Sequence, residues 1–308
     1  MEEITLTANG LTHPALKLGN GNKLALLIHG FPDSPYTWRG IMPRLAEAGY
    51  TCIAPFLRGY SEQNTPREMF ENEAATIQIA DVAHDIVAMV DAAGFGNALL
   101  VGHDWGAIAA YAAANLEPQK FTAVVTLSVP HLKILLSNLW KNPAQFMASW
   151  YILFFQVRFG IPESRVSRDR LDFIEMLWSR WSPEAASAAG YSETLEAAKT
   201  LLSAPQILHN ALSYYRGLLT PALADLARWN ESRRLSFANV RVPLLTMTGS
   251  GDGCILPEMF DGMHAAAERD FTLRILPQVG HFLTLESDER IADEILKMAK
   301  SIAGAHHA

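Results

Sequence analysis

The sequence is poor in cysteine: Cys52 and Cys254 stand far apart and outside any C-x-x-C spacing. That excludes a disulfide framework and a zinc knuckle, and a reducing compartment fits best. It also lacks a surplus of positive charge. Its 25 Lys and Arg are outnumbered by 32 Asp and Glu, for a net charge of -7, and no basic run stands ready to neutralise a phosphate backbone, so no nucleic-acid partner is expected. No apolar run reaches the ~18 residues that a membrane span needs. The most apolar stretch, residues 150–159, is broken by Gln156 and Arg158. The first ten residues carry Glu2 and Glu3 in place of a basic leader region. These absences predict a cytoplasmic, globular protein with no membrane partner. H-E-x-x-H, the P-loop pattern and a strand-borne G-x-G-x-x-G are missing too, so neither a metal nor a cofactor is expected.

What is present is ample apolar material in 308 residues, enough for one large domain with an insertion. Short apolar runs at residues 24–28, 51–54, 98–101 and 123–127 alternate with helical patterns, and the rhythm returns at 244–248 and 272–276. Such alternation predicts a mostly parallel sheet with crossover helices on both faces. Runs at 4–7 and 15–18 look like an edge hairpin. Residues 76–93 carry an apolar stripe near period 3.6, through Ile77, Ala80, Val82, Ile86, Val87 and Val90. The stretch 131–239 is different: helical patterns at 171–181, 194–202 and 206–219 are punctuated by Pro143, Pro162, Pro183, Pro205 and Pro221, with no strand among them. A helical insertion cannot extend the sheet and should lie over the carboxyl ends of its strands. The expected organisation is a discontinuous core, 1–130 and 240–308, with 131–239 as a lid. Residues 303–308, with His306 and His307, read as a frayed tail.

The chemistry concentrates at strand ends. Gly102-His103-Asp104-Trp105-Gly106 follows an apolar strand and opens a small-residue helix, the G-x-Nu-x-G elbow that lifts its central side chain above a sheet. Here the centre is aspartate. A carboxylate is already ionised at neutral pH, and what it can form is an ester with an electrophilic sp3 carbon. The plainer reading makes Asp104 a helix N-cap. His29-Gly30-Phe31-Pro32 follows another strand, where the backbone N–H of Phe31 could join that of Trp105 as an oxyanion hole. Asp252 lies just past the run at 244–248 and His281 past the run at 272–276. Nucleophile, acid and histidine therefore occur in the order of the α/β-hydrolase fold.

Over nearly its whole length the chain resembles the epoxide hydrolases of the α/β-hydrolase superfamily. The resemblance rests on His29 to Pro32, Tyr36-Thr37-Trp38-Arg39, Arg58-Gly59-Tyr60-Ser61, the G-H-D-W-G elbow and Asp252-Gly253-Cys254. It extends to the lid: Tyr151 stands five residues before Gln156 in an aromatic run, and Tyr215 is followed by Arg216. The resemblance implies a helical cap inserted after the sixth strand and the conversion of an epoxide to a vicinal diol. Asp104 would be the nucleophile, His281 with Asp252 would activate water, and Tyr151 and Tyr215 would be acid donors, with the adjacent Tyr214 as alternative to Tyr215. Phe31, Pro32, Trp105, Trp150 and Phe154 are the expected apolar contacts of the substrate, and Cys254 is expected to pack.

Haloalkane dehalogenases are similar in the Trp after the nucleophile, but they place a donor or its partner where this chain has Phe31. Fluoroacetate dehalogenases resemble the H-G-F-P turn, but have Arg after the nucleophile and Trp in the place of Tyr151. A silent ligand-binding relative would have no need of all five groups. His103 should point away from the reaction and His29 should support its turn. His84, His209 and His264 fall in helical patterns, and apolar residues on the lid surface would suit a homodimer.

Overall fold

The computed structural model describes residues 1–219 and 226–305. Pro221 and the terminal His306 and His307 lie outside the described residues. Eight strands form one sheet: β1 (Glu2–Ala8), β2 (Leu11–Leu18), β3 (Lys23–Ile28), β4 (Tyr50–Pro55), β5 (Ala98–His103), β6 (Phe121–Leu127), β7 (Leu244–Gly249) and β8 (Phe271–Leu276). Their order is β1-β2-β4-β3-β5-β6-β7-β8. β1 and β2 pair antiparallel, as do β2 and β4, and the remaining pairs are parallel. Each run expected as a strand is one, extended by up to four residues at an end.

Alternation along the strands divides two apolar cores. In β3, Leu24, Leu26 and Ile28 pack on one face and Ala25 and Leu27 on the other. The first core takes the helices Ile79–Ala92 and Trp105–Leu116; the second takes Ile41–Glu47 and Asp288–Ala305. Burial on both faces is why these strands read as near-continuous apolar runs.

Between β6 and β7 the chain is helical among the described residues. The lid stretch expected at 131–239 is too long at its carboxyl end. The helix Leu226–Phe237 packs on Trp105–Leu116 and Ile79–Ala92 in the core layer. Asn115 Nδ2 donates to Leu235 O and Ala238 O at 2.9 and 2.8 Å, and Ala80 N donates to Ser232 Oγ at 3.0 Å. The helix Leu226–Phe237 is largely polar, so no apolar stripe in the sequence assigns it to a layer. No helix among the described residues is long and apolar enough to cross a membrane.

Candidate active site

The carboxyl ends of β3, β5, β7 and β8 meet beneath the lid, and each carries one of the residues singled out above. Asp104 follows β5 at φ 51° and ψ -117°, a backbone state that costs a non-glycine residue about 1–3 kcal/mol. The elbow closes because its neighbours are glycines: a Cβ on Gly102 would collide with the backbone of Gly106, and one on Gly106 with that of Ile28. The Asp104 side chain makes no capping hydrogen bond to the helix Trp105–Leu116 that it opens. The N-cap reading therefore does not hold, and the carboxylate is turned into the cleft. Its Oδ1 accepts the Phe31 N–H at 2.8 Å and its Oδ2 lies 3.6 Å from His281 Nε2.

His281 Nδ1–H donates to Asp252 Oδ2 at 2.9 Å, while Asp252 Oδ1 accepts the N–H groups of Cys254 and Ile255 at 2.7 and 2.9 Å. Imidazole and both carboxylates are buried. Burial alone would discharge the imidazole, yet Asp252, Cys254 and Asp104 outweigh it and hold His281 well above its ordinary value. Burial likewise pushes the Asp104 carboxyl up, but the hydrogen bond and charge of His281, with His103 and the Phe31 N–H, bring it below the usual carboxylate value. The two carboxyl groups flank the imidazole in one buried row, and both favour its protonated form.

The lid supplies the opposite wall. Tyr151 and Tyr215 have ring centroids 5.7 Å apart, edge to face, and the Tyr215 ring also packs edge-on to Phe31 at 5.4 Å and Trp105 at 4.9 Å. Burial first, then the Asp104 charge, holds the Tyr215 hydroxyl well above the ordinary phenol value; for Tyr151 burial is again largest, followed by Cys254, Tyr215 and Asp104. Both hydroxyls therefore stay protonated and feel the nucleophile's field. The Tyr215 hydroxyl has no hydrogen-bond partner among the described residues. The neighbouring Tyr214 instead donates to Arg58 O at 2.8 Å, so its hydroxyl is engaged where that of Tyr215 is not. The Gln and Arg of the lid patterns tie the two tyrosine helices together: Gln156 Nε2 donates to Tyr215 O at 2.8 Å and Arg216 Nε to Phe155 O at 3.0 Å.

Two expected contacts fall elsewhere. Trp150 and Phe154 sit on the other side of the helix Trp150–Phe154, against Phe173, and Trp150 is exposed. Phe155 is the residue that packs on Phe31 and Tyr215, at 5.7 and 5.1 Å. It stands four residues after Tyr151, a helical spacing that shares a face and that the sequence carried. Pro32 borders the cleft, its carbonyl accepting the Trp178 indole N–H at 2.8 Å. Cys254 does more than pack: its Sγ is 3.3 Å from the Tyr151 hydroxyl.

Three lid residues absent from the sequence reading hold the loops of acid and histidine. The Trp181 carbonyl accepts from Gly253 and His281 N–H groups at 3.1 and 3.0 Å, Ser182 Oγ accepts from Phe282 N–H at 2.8 Å, and Gln145 bridges Cys254 O and Leu256 N. Asp252, Cys254 and His281 also bring three possible metal donors within 4.8 Å of one another. The acid's bonds to the imidazole and to two amides already occupy its oxygens, and the trio reads as an acid–histidine pair beside a thiol.

His29 and His103 are buffers of shape, as expected. His29 accepts the Leu57 N–H at Nε2 and donates from Nδ1 to Gly30 O, with burial lowering it to about 4. His103 donates from Nε2 to His281 O at 3.0 Å, and burial lowers it to about 3. Beside it, Asp33 is fully buried, with burial raising it to about 8. A folded value above the unfolded one means that Asp33 favours the fold at low pH and loses that contribution as pH climbs to about 8. Asp33→Asn, isosteric with the protonated acid, should therefore gain stability over the parent by roughly 1 kcal/mol per pH unit between pH 5 and 8, then level off. Urea unfolding at several pH values measures this; a gap that does not change with pH would count against it.

A family profile described as the alpha/beta hydrolase fold matches residues 25–288. Among curated proteins, an epoxide hydrolase of Caballeronia sordidicola is 26% identical, over 98% of this chain and 94% of its own. Among solved structures, an epoxide hydrolase of Bacillus megaterium in complex with an inhibitor superposes with a TM-score of 0.81 at 22% identity, covering 96% of this chain and 100% of that one. One from Vigna radiata superposes at 0.77 and 26% identity, covering 97% and 98%.

Proposed function

The chain belongs to the alpha/beta-hydrolase fold family, and from that premise we propose that it hydrolyses epoxides to vicinal diols through an ester on Asp104. The observation that carries this reading is the burial together of an elbow carboxylate that caps no helix with Tyr151 and Tyr215, whose rings pack on each other and whose hydroxyls feel the Asp104 charge. Backside attack by Asp104 on a ring carbon moves negative charge onto the epoxide oxygen. A donor on the far side must meet it, and two phenols kept protonated by burial suit that task. Proton transfer from a tyrosine completes ring opening and leaves a hydroxyalkyl ester.

Alkylation also changes the electrostatics of the row. While Asp104 is ionised, it helps to hold His281 protonated; once esterified it carries no charge, and the imidazole loses part of what kept its proton. The base is thus released when the ester requires it. His281 takes a proton from water, Asp252 steadies the imidazolium, and hydroxide adds to the ester carbonyl. The Phe31 N–H, already 2.8 Å from Asp104 Oδ1, meets the oxyanion with that of Trp105 as expected second donor. Collapse breaks the ester C–O bond; the expelled oxygen takes the remaining hydroxyl proton to give the diol and leaves Asp104 a carboxylate. The proton that His281 gave up after alkylation restores the tyrosine.

Phe31 favours this chemistry over halide release, since a departing halide would find an apolar ring where a donor is needed. The test is incubation of the purified protein with styrene oxide and short aliphatic epoxides, with diol measured by chromatography and halide release from haloalkanes measured in parallel. Diol without halide is expected, and Asp104→Asn should lower its rate at least about a thousandfold. Halide without diol, or full activity of the variant, would remove the reading.

A further inference from the structure

We infer that the outer face of the lid seats on an anionic lipid surface. Trp140 is 84% and Met147 71% exposed, and Leu136, Phe146 and Leu153 are about half exposed. These residues lie on three consecutive helices, Leu132–Leu139, Pro143–Ala148 and Trp150–Phe154, and the turn between the first two. Leu136, Phe146 and Leu153 line one apolar cavity of about 290 Å3, which joins the helices into a single face. A monomer in water gains nothing by presenting so many large apolar side chains together, and such a patch marks an interaction surface.

Charge selects the partner. The whole chain carries -7, yet the helices Leu132–Leu139, Pro143–Ala148 and Trp150–Phe154 and the turns between them hold Lys133 and Lys141 and no carboxylate, while Arg158 lies apart, beside Glu73 and Glu163. Arg233, stacked over the rings of Trp229 and Phe237, lines the same cavity. Aromatic and aliphatic side chains flanked by cations are what an anionic bilayer surface binds, the apolar groups entering the headgroup boundary and the cations remaining at the phosphates. A second copy of the chain fits less well: a contact of this face with itself would gather Lys133, Lys141 and Arg233 of both copies at one interface, with no acid in the three lid helices to pair with them. The expectation of no membrane partner came from the lack of a spanning stretch, and a surface that lies on a bilayer needs none.

Docking of this kind goes beyond the catalytic reading and can be tested without it. The protein is sedimented with phosphatidylcholine vesicles containing about 30% phosphatidylglycerol, and with phosphatidylcholine alone. Binding to the anionic vesicles is expected, weakened by about 0.5 M salt, with tryptophan emission shifted to the blue and quenched by brominated lipid. Trp140→Glu with Met147→Glu, and separately Lys133→Glu with Lys141→Glu, should each lower the partition coefficient about tenfold or more while the thermal transition is retained. No binding to anionic vesicles, or binding that survives both pairs of changes, overturns the proposal. So does a concentration-dependent dimer that the same changes abolish in a protein that ignores vesicles, since that assigns the face to a second copy. Quenching in the parent protein keeps the test decisive if a variant fails to fold.

Discussion

Replacing His281 by Gln is expected to stop turnover after a single alkylation, leaving protein heavier by one substrate in intact mass spectrometry. The nucleophile does not need the imidazole as a base to attack. Its carboxyl is held below the usual value chiefly because His281 outweighs the effect of burial, so losing the imidazolium should raise Asp104 and make alkylation by the variant faster at higher pH, with the Phe31 N–H still favouring the anion. Ester hydrolysis does need it, because no other neutral base stands 3.6 Å from the Asp104 carboxylate among the described residues. General base catalysis contributes about 10^2 to 10^4 in rate, so diol formation should fall by about that factor while the first alkylation persists. The same logic separates the two steps by pH. Hydrolysis should rise as the alkylated protein's imidazole gives up its proton, and alkylation of the parent should be flat across that range, since its Asp104 titrates below the ordinary carboxylate value. Stopped-flow quenching of tryptophan emission on single turnover resolves both. A variant that stays unmodified while the parent makes diol would show that water attacks the epoxide directly, with Asp104 in some other role.

The parts of this arrangement that the sequence exposed are those fixed by local chemistry. Gly102 and Gly106 announce the elbow because no larger residue fits between β5, its helix and Ile28; Asp252 and His281 announce themselves by standing just past apolar strands. The strands were legible because burial on both faces writes them as unbroken apolar runs. What escaped was decided by contacts between distant segments. The helix Leu226–Phe237 is mostly polar, with only Ser232, Leu235 and Ser236 buried, so no apolar stripe announces its place, and it is Asn115 and Ala80 reaching for it that reveal its packing in the core layer. Cys254 looked inert two residues after the acid, because nothing local says that the loop turns its thiol to Tyr151. The difference between Tyr214 and Tyr215 was likewise invisible in the sequence, since Arg58, over 150 residues earlier, is what accepts the Tyr214 hydroxyl. Gln145 and the Trp181 carbonyl hold the loops of acid and histidine from the lid. Cap and core therefore share the site's rigidity, although its reacting groups divide cleanly between them.

Removing both lid hydroxyls is expected to have the other large effect, and it tests the ring-opening step alone. The two phenols are not equivalent. Tyr215 presents a buried hydroxyl without a protein partner, against Phe31 and Trp105, whereas the Tyr151 hydroxyl lies 3.3 Å from Cys254 Sγ. A phenol has one proton to give, and if the thiol donates to Tyr151 its proton remains free for the epoxide. Either tyrosine can then act when the other is missing, so Tyr151→Phe or Tyr215→Phe should slow single-turnover alkylation by about 10- to 100-fold, with Tyr215→Phe the more damaging. With both gone, the epoxide oxygen must leave as an alkoxide in an aromatic cleft. The loss should then exceed the product of the single effects, reaching at least about 10^4, since one oxyanion donor is worth about 3 kcal/mol where water is excluded. Hydrolysis of an ester already formed should be spared, because that step uses His281 and the Phe31 N–H on the other side of Asp104. A double variant that alkylates normally, or one that alkylates normally but fails to release diol, would take the tyrosines out of ring opening and leave the departing oxygen to some other donor.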